Sequence, residues 1–133
     1  MEDLKLIVLD NIEELGKKRD RFSNGEGKIR INTNIKGKNV YIISDIANYD
    51  ITYKMHGFIH HMSPDEHFQD IKRVISALQG YAKKIVLIMP LLYQSRQDKR
   101  IENESLDCAL ALQELERLGV NNIITFDVHN ICV

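Results

Sequence analysis

Residues 85–100 read Ile85-Val86-Leu87-Ile88-Met89-Pro90-Leu91-Leu92-Tyr93-Gln94-Ser95-Arg96-Gln97-Asp98-Lys99-Arg100. Five consecutive apolar residues, 85–89, end at a proline and are followed by a dense polar cluster. A short apolar run of this kind is typical of a strand buried on both faces, as in a parallel sheet. Open parallel sheets bind ligands at the carboxyl ends of their strands, so Arg96, Gln97 and Asp98 are candidate site residues. A solvated surface loop is the alternative interpretation of this cluster.

The remaining apolar patterns predict the other elements of an α/β domain. Strands are expected from apolar runs and from alternation, at residues 4–9, 28–31, 39–44 and 122–126. Helices are expected from periodicity and end signals, at residues 11–18, from Ser63 to Gly80, and at residues 105–118. From residue 39 onward the order strand, connection, helix, strand, helix, strand favours right-handed crossovers and a parallel sheet in an α/β sandwich.

The two longer helices differ in how clearly the sequence marks their ends and faces. Ser63 precedes a proline and stands three residues before Glu66, which is the pattern of a capped helix start. The residues after it form one apolar stripe at helical spacing: Phe68, Ile71, Val74, Ile75 and Leu78. The second helix is expected to bury a broad apolar face: Leu106, Ala109, Leu110, Leu112, Leu115 and Leu118.

Two segments are predicted to lack regular structure. Residues 45–62 show no clean periodicity and are interpreted as a long ordered connection, a kind of loop that is usually functional or mobile. The charge run at residues 17–21 is interpreted as a solvated loop. Four histidines occur in or near the first segment, but their spacing matches no standard metal motif: His56, His60, His61 and His67.

Composition restricts the class of protein. A chain of 133 residues with 44% hydrophobic and 28% charged residues predicts a single globular domain over residues 1–133. A net charge of −1 gives no electrostatic case for nucleic acid or for an anionic membrane surface as a partner. Cys108 is expected to be a buried core thiol and Cys132 lies next to the last residue, so the cysteine usage suits a reducing cytoplasm. The sequence shows no signal peptide and no apolar run of transmembrane length.

A second polar cluster follows the last predicted strand. Asp127 and His129 stand two residues apart, where alternate residues of an extended chain share a side and can face one divalent cation. If this strand neighbours strand 85–89, the two polar loops converge at one edge of the sheet, and Arg96 could hold phosphate oxygens there. The alternative is a loop carboxylate that accepts backbone hydrogen bonds beside a surface histidine.

Three segments in order resemble the ribose-phosphate pyrophosphokinases, also called phosphoribosyl pyrophosphate synthetases. Phe22-Ser23-Asn24-Gly25-Glu26 is similar to the family's Phe-x-Asp-Gly-Glu loop, with Asn24 in place of the aspartate. The run from Pro90 to Lys99 resembles its Pro-Tyr-Tyr-x-Tyr-x-Arg-Gln-Asp-(Arg/Lys) segment, and Asp127-Val128-His129 resembles its Asp-Leu-His. The match covers most of residues 21–130.

The resemblance implies a three-layer α/β sandwich of the phosphoribosyltransferase type, with a mostly parallel sheet that is incomplete relative to the full family. In that family the C1 hydroxyl of ribose 5-phosphate attacks the β-phosphorus of ATP in the presence of Mg²⁺, and AMP leaves. Such a transfer depends on positioning and on charge neutralisation. Position by position, Arg96, Gln97 and Asp98 would lie in the ATP site. Asp127 and His129 would belong to the Mg²⁺ and phosphate region, with His129 as the candidate catalytic residue.

The resemblance also implies partners. Phe22, Asn24 and Glu26 would approach the adenine of a neighbouring subunit, because the family builds that site across an interface. A homo-oligomer, or pairing with a full-length relative, is therefore expected.

Departures from the family pattern limit what this chain is expected to do. It contains no acidic Gly-Thr-rich segment for the sugar phosphate, and residues 101–105 carry two glutamates where the family has a basic loop. The chain is therefore predicted to be the N-terminal half of such a protein, with part of the ATP and Mg²⁺ site and no turnover alone. A non-catalytic regulatory or oligomerisation module, and a truncated fragment of a longer protein, remain the alternatives.

Overall fold

The computed structural model describes residues 3–9 and 19–127 and shows a mixed α/β fold around a parallel sheet. The elements are β1 Leu4–Val8, β2 Arg19–Arg21, β3 Gly27–Ile29, β4 Asn39–Ile43, β5 Thr52–Met55, β6 Phe58–His61, α1 Pro64–Leu78, β7 Lys84–Ile88, α2 Asp107–Arg117 and β8 Asn122–Ile124. The parallel sheet has four strands in the order β1-β4-β7-β8, while β2–β3 and β5–β6 are two antiparallel pairs. The fold class predicted from the sequence is confirmed. The predicted helix at residues 11–18 and Cys132 lie outside the described residues.

Strand β7 is an inner strand of the sheet, as its apolar run predicts. It pairs in parallel with β4 on one side and β8 on the other, so that Leu87 stands between Ile42 and Ile123. Ile85, Val86 and Leu87 are all buried, which requires cover on both faces of the strand. A polar residue in this run would leave an unpaired group inside the protein, and this explains why the run is continuously apolar.

Helix α1 begins and packs as predicted. The Ser63 Oγ accepts a hydrogen bond from the Glu66 N–H at 3.3 Å, and Pro64 occupies the first helical position. Its whole apolar stripe is buried with side chains from one face of the sheet: Ile7, Val40, Ile42, Ile85 and Leu87. Helix α2 lies beside α1, joined to it by an ion pair between Lys72 and Glu114 at 2.8 Å. In the described part of the chain, neither helix is long and apolar enough to cross a membrane.

The predicted apolar face of α2 packs on the core, with one exception. Leu115 is buried, Leu112 and Leu118 are partly buried against the core, and Leu110 is 48% exposed. Cys108 and Ala111 complete the buried side of the helix. Cys108 is a core thiol as expected, and burial raises its pKa.

Two predictions of irregular structure are wrong. The connection after β4 contains the β5–β6 hairpin, whose turn residues His56 and Gly57 have φ values of 50° and 84°. Two positive φ values are the signature of a tight two-residue hairpin, but the usual Asn-Gly or Asp-Gly signal is absent here. The charge run ends in strand β2, and the side chain of Arg21 is only 8% exposed.

Candidate functional site

The two predicted polar loops lie side by side at the carboxyl edge of the sheet. The Asp127 N–H donates to the Pro90 carbonyl at 2.9 Å, and the Leu92 N–H donates to the Asp127 carbonyl at 3.1 Å. Leu91 and Asp127 form a parallel bridge that extends the β7–β8 pairing beyond both strands. The convergence expected from the sequence, which depended on the two strands being neighbours, is confirmed.

A cavity of about 330 Å³ opens at this edge of the sheet. Its walls come from the connection after β4, the start of α1 and the loop after β7, at Ile46, residues 63–65 and residues 91–96. Arg96 lines this cavity and is exposed. Its guanidinium therefore offers a planar set of N–H donors of the kind that binds phosphate.

Gln97 and Asp98 interact with residues of their own loop and of the start of α2. The Gln97 side-chain amide donates to the Ser105 carbonyl at 2.9 Å and to the Lys99 carbonyl at 3.4 Å, so it ties the two ends of the loop together. The charge of Asp98 adds to burial in raising the pKa of the Cys108 thiol, which places this carboxylate near the start of α2. Of the three predicted residues, Arg96 is the one that lines the cavity.

Contacts of Tyr93 with α1, which the sequence did not reveal and which we call the brace, hold this loop against the helix. The Tyr93 Oη donates to Asp65 Oδ1 at 2.5 Å, and the Tyr93 ring stacks on Phe68 with a centroid distance of 4.1 Å. Gln94 has a φ of 59°, which is a strained conformation for a residue other than glycine, and its amide also reaches Asp65 Oδ1, at 3.5 Å. The sequence gives no sign of this contact, because no short motif links Asp65 to a tyrosine 28 positions away.

Tyr93 is expected to ionise later than an ordinary tyrosine. Burial, followed by the hydrogen bond to Asp65, raises the pKa of Tyr93 to about 12, from the usual value of 10.0. The folded protein therefore keeps the Tyr93 proton at a pH at which the unfolded chain loses it, and this difference stabilises the fold. The contribution to the free energy of unfolding is fully present below pH 10 and is lost as the pH rises toward 12. An NMR titration of tyrosine ring carbons measures it, and Asp65→Asn should lower the Tyr93 pKa while leaving part of the shift, since burial remains. A Tyr93 pKa that Asp65→Asn does not move would contradict the brace.

The predicted adenine loop forms the tip of the β2–β3 hairpin. The Asn24 Oδ1 accepts from the Glu26 N–H at 3.1 Å, and the Asn24 amide donates to Glu26 Oε1 at 2.6 Å. Gly25 completes the turn with a φ of 94°, a conformation that L side chains rarely adopt. The Phe22 ring is 57% exposed, so an apolar aromatic surface faces away from the hairpin.

This hairpin is anchored to α1 by buried charge. Asp70 is fully buried and accepts hydrogen bonds from Arg21 Nη2 at 2.8 Å and from Arg73 Nη1 at 2.6 Å. The Arg21 guanidinium also lies 5.3 Å from the centroid of the Tyr53 ring, which belongs to β5. The residue next to Phe22 is therefore fixed by contacts with both α1 and the second hairpin.

The candidate metal residues are only partly described. Asp127 is exposed at the sheet edge, and His129 lies outside the described residues. Across residues 3–9 and 19–127, no group of three or more His, Cys, Asp or Glu side chains is placed to hold a metal ion. One exposed carboxylate suits Mg²⁺, which keeps several waters and binds through one or two carboxylates together with substrate phosphates.

The predicted residues thus fall into two separate places on this chain. Arg96 and Asp127 belong to adjacent loops at the sheet edge. Phe22, Asn24 and Glu26 lie at the hairpin tip and do not line the Arg96 cavity.

Comparisons with known proteins agree with this architecture. The sequence profile of the N-terminal domain of ribose phosphate pyrophosphokinase matches residues 7–119. The ribose-phosphate pyrophosphokinase of Corynebacterium ammoniagenes is 30% identical over 112 residues, which cover 83% of this chain and 31% of that protein. That of Bacillus caldolyticus is 29% identical over 119 residues, which cover 87% of this chain and 33% of that protein.

A solved structure shows the same fold. The crystal structure of phosphoribosylpyrophosphate synthetase from Mycobacterium smegmatis is similar with a TM-score of 0.75 at 22% sequence identity, over 97% of this chain and 44% of that one. The present chain spans about a third of the length of the curated relatives it matches.

Proposed function

This chain belongs to the family of ribose-phosphate pyrophosphokinase N-terminal domains, and from that premise we propose that it carries the nucleotide part of that family's reaction site. The reaction would be the transfer of pyrophosphate from ATP to ribose 5-phosphate. The observation that carries the proposal is the exposed Arg96 in a cavity at the carboxyl end of β7, with Asp127 in the adjoining loop. This is where open parallel sheets bind ligands.

The proposed roles follow from the chemistry of each side chain. Arg96 would bind phosphate oxygens of ATP, and the brace formed by Tyr93 and Asp65 would keep its loop in place. Asp127 and His129 would hold Mg²⁺, which when bound neutralises phosphate charge. Gln97 and Asp98 would shape the loop around the nucleotide. The catalytic role of His129 stays a prediction.

The hairpin tip would complete the site of a second subunit. Phe22 presents an exposed ring on which an adenine could stack, and Asn24 and Glu26 offer polar atoms for its edge. Because these residues lie away from the Arg96 cavity of their own chain, the proposal requires a homo-oligomer or pairing with a full-length relative.

Calorimetry with ATP and Mg²⁺ tests the nucleotide site. Arg96→Ala is expected to weaken binding about tenfold, the loss typical of one charge-assisted hydrogen bond. Lys84→Ala is the matched control, because it removes an exposed positive charge at the opposite end of the same strand. Equal weakening in both variants, or no binding of millimolar ATP by the unmodified chain, would contradict the proposed site.

One observation favours a second candidate, a non-catalytic oligomerisation module. Large apolar side chains are exposed on and beside the β5–β6 hairpin, namely Tyr49 at 66%, Phe58 at 73% and Ile59 at 67%. Several exposed apolar side chains in one segment often mark a protein interface. A chain that fails to bind ATP yet self-associates in sedimentation would support this role, and one that stays monomeric at high concentration would exclude it.

A further inference from the structure

A second and larger concavity lies away from the sheet edge. It has a volume of about 640 Å³ and is bounded on three sides, by β3, α1 and α2. We call it the cationic groove, and its lining residues are Gly27, Lys28, Ile29, Gln69, Lys72, Arg73, Ser76, Ala77, Glu114, Arg117 and Leu118. None of them lines the Arg96 cavity, so the two sites are separate.

The groove carries an excess of positive charge on a chain whose net charge is −1. Lys72 is neutralised by Glu114, at 2.8 Å, which is the one carboxylate among the described lining residues. Arg73 forms an ion pair with the buried Asp70, and the same carboxylate also forms an ion pair with Arg21.

Two further cations remain. Lys28 on β3 and Arg117 in the last turn of α2 form no ion pair with any described residue. Among the described residues, the lining therefore holds four cations and one carboxylate, and the buried Asp70 behind it contacts one of the four, Arg73.

Gly27 opens the groove to these cations. A Cβ at this position would stand 2.5 Å from Nη1 of Arg21 and 2.5 Å from Nη1 of Arg73, a distance that real Cβ atoms essentially never show. The missing side chain lets the two guanidiniums lie directly against the β3 backbone. Positive charge is thus held at the wall of the groove instead of extending into solvent.

The geometry points to a ligand class: we propose that the cationic groove binds a small molecule with a phosphate or carboxylate group on an apolar body. The excess charge selects an anion, and Gln69 and Ser76 add neutral hydrogen-bonding groups. Ile29, Ala77 and Leu118 supply the apolar part of the lining. The volume falls within the range of roughly 300–1,000 Å³ in which small-molecule sites occur. A compact anion is favoured over an extended acidic peptide because the cations converge from three elements, Lys28 from β3, Arg73 from α1 and Arg117 from α2, and do not form a row along one of them.

An NMR titration of the 133-residue chain tests this with phenyl phosphate as the probe, and with inorganic phosphate and phenol as its two separated halves. Phenyl phosphate is expected to shift the amide signals of residues 27–29 together with those of Arg73 and Arg117, and to bind more tightly than either half. The double variant Lys28→Gln/Arg117→Gln should weaken this binding about tenfold. Both residues are solvent-exposed, so the variant should keep a native spectrum.

A matched double variant, together with the position of the shifted signals, separates the groove from the proposed nucleotide site. Lys54→Gln/Lys84→Gln removes two exposed charges elsewhere and should leave the phenyl phosphate shifts of residues 27–29 unchanged. Shifts centred on residues 91–98, or equal losses in both double variants, would overturn the proposal. So would tighter binding of hexaglutamate at the same amides, because it would make the groove a docking site for an acidic protein segment.

Discussion

Replacing Asp70 with asparagine is expected to lower the free energy of unfolding by about 3–5 kcal/mol, which is the cost of removing one partner of a buried ion pair. Asp70 is fully buried in α1 and accepts hydrogen bonds from both Arg21 and Arg73. The amide keeps the size of the carboxylate but removes its charge. The Arg21 guanidinium, whose side chain is 8% exposed, then loses its ion pair with this buried carboxylate.

Chemical denaturation followed by circular dichroism measures this loss. Glu116→Gln is the matched control, since it removes one negative charge from an exposed position on α2 and should change stability by less than about 0.5 kcal/mol. Hydrogen exchange provides a second measurement. Because Asp70 anchors the β2–β3 hairpin, the amides of residues 27–29 should exchange faster in Asp70→Asn. A loss below about 1 kcal/mol would contradict a buried ion pair at Asp70, because an exposed pair contributes no more than this.

Replacing Leu87 with alanine is expected to destabilise the protein by about 2–5 kcal/mol, because it leaves a cavity in a packed core. Leu87 is fully buried at the centre of β7, between Ile42 of β4 and Ile123 of β8. The neighbouring strands are held by their hydrogen-bonding register and cannot collapse into the space. The loss should therefore lie in the upper part of that range.

The same denaturation experiment checks it. Leu110→Ala is the control, since this leucine is 48% exposed on α2 and alanine is the better helix former. It should cost less than about 1 kcal/mol. Similar losses in the two variants would show that the apolar face of α2 is buried in solution, as the leucine pattern predicts, and would contradict the packing described above.

Helices and strands whose own residues signal their type and their ends were predicted correctly. Helix α1 has its serine cap, its proline and its apolar stripe within one segment, and β7 is one continuous apolar run. The β5–β6 hairpin was missed because its turn, His56-Gly57, reaches positive φ values without the usual asparagine or aspartate. Leu110 of α2 is exposed although it belongs to the predicted apolar face, because a helix pattern shows which residues are apolar and not how much surface the neighbours cover.

The candidate site also has one part that the sequence predicted and another part that it did not. Arg96 and Asp127 could be placed together from the strand order, since parallel neighbours end at the same edge. The brace from Tyr93 to Asp65 and the loop-closing role of Gln97 could not, because each depends on contacts that no motif encodes.

The sequence by itself determined the parallel α/β core and the family to which this chain belongs, since both depend on local patterns and on motifs kept in order. Only the tertiary structure decided which of its charged side chains are buried and which of them lie close together. Arg21 reads as one member of a solvated charge run, yet it is buried against Asp70, 49 positions away. The same fold gathers Lys28, Arg73 and Arg117 from three elements around one groove. Whether a charged side chain is solvated or buried depends on the partner that the fold brings to it, and that partner lies beyond any local window of sequence.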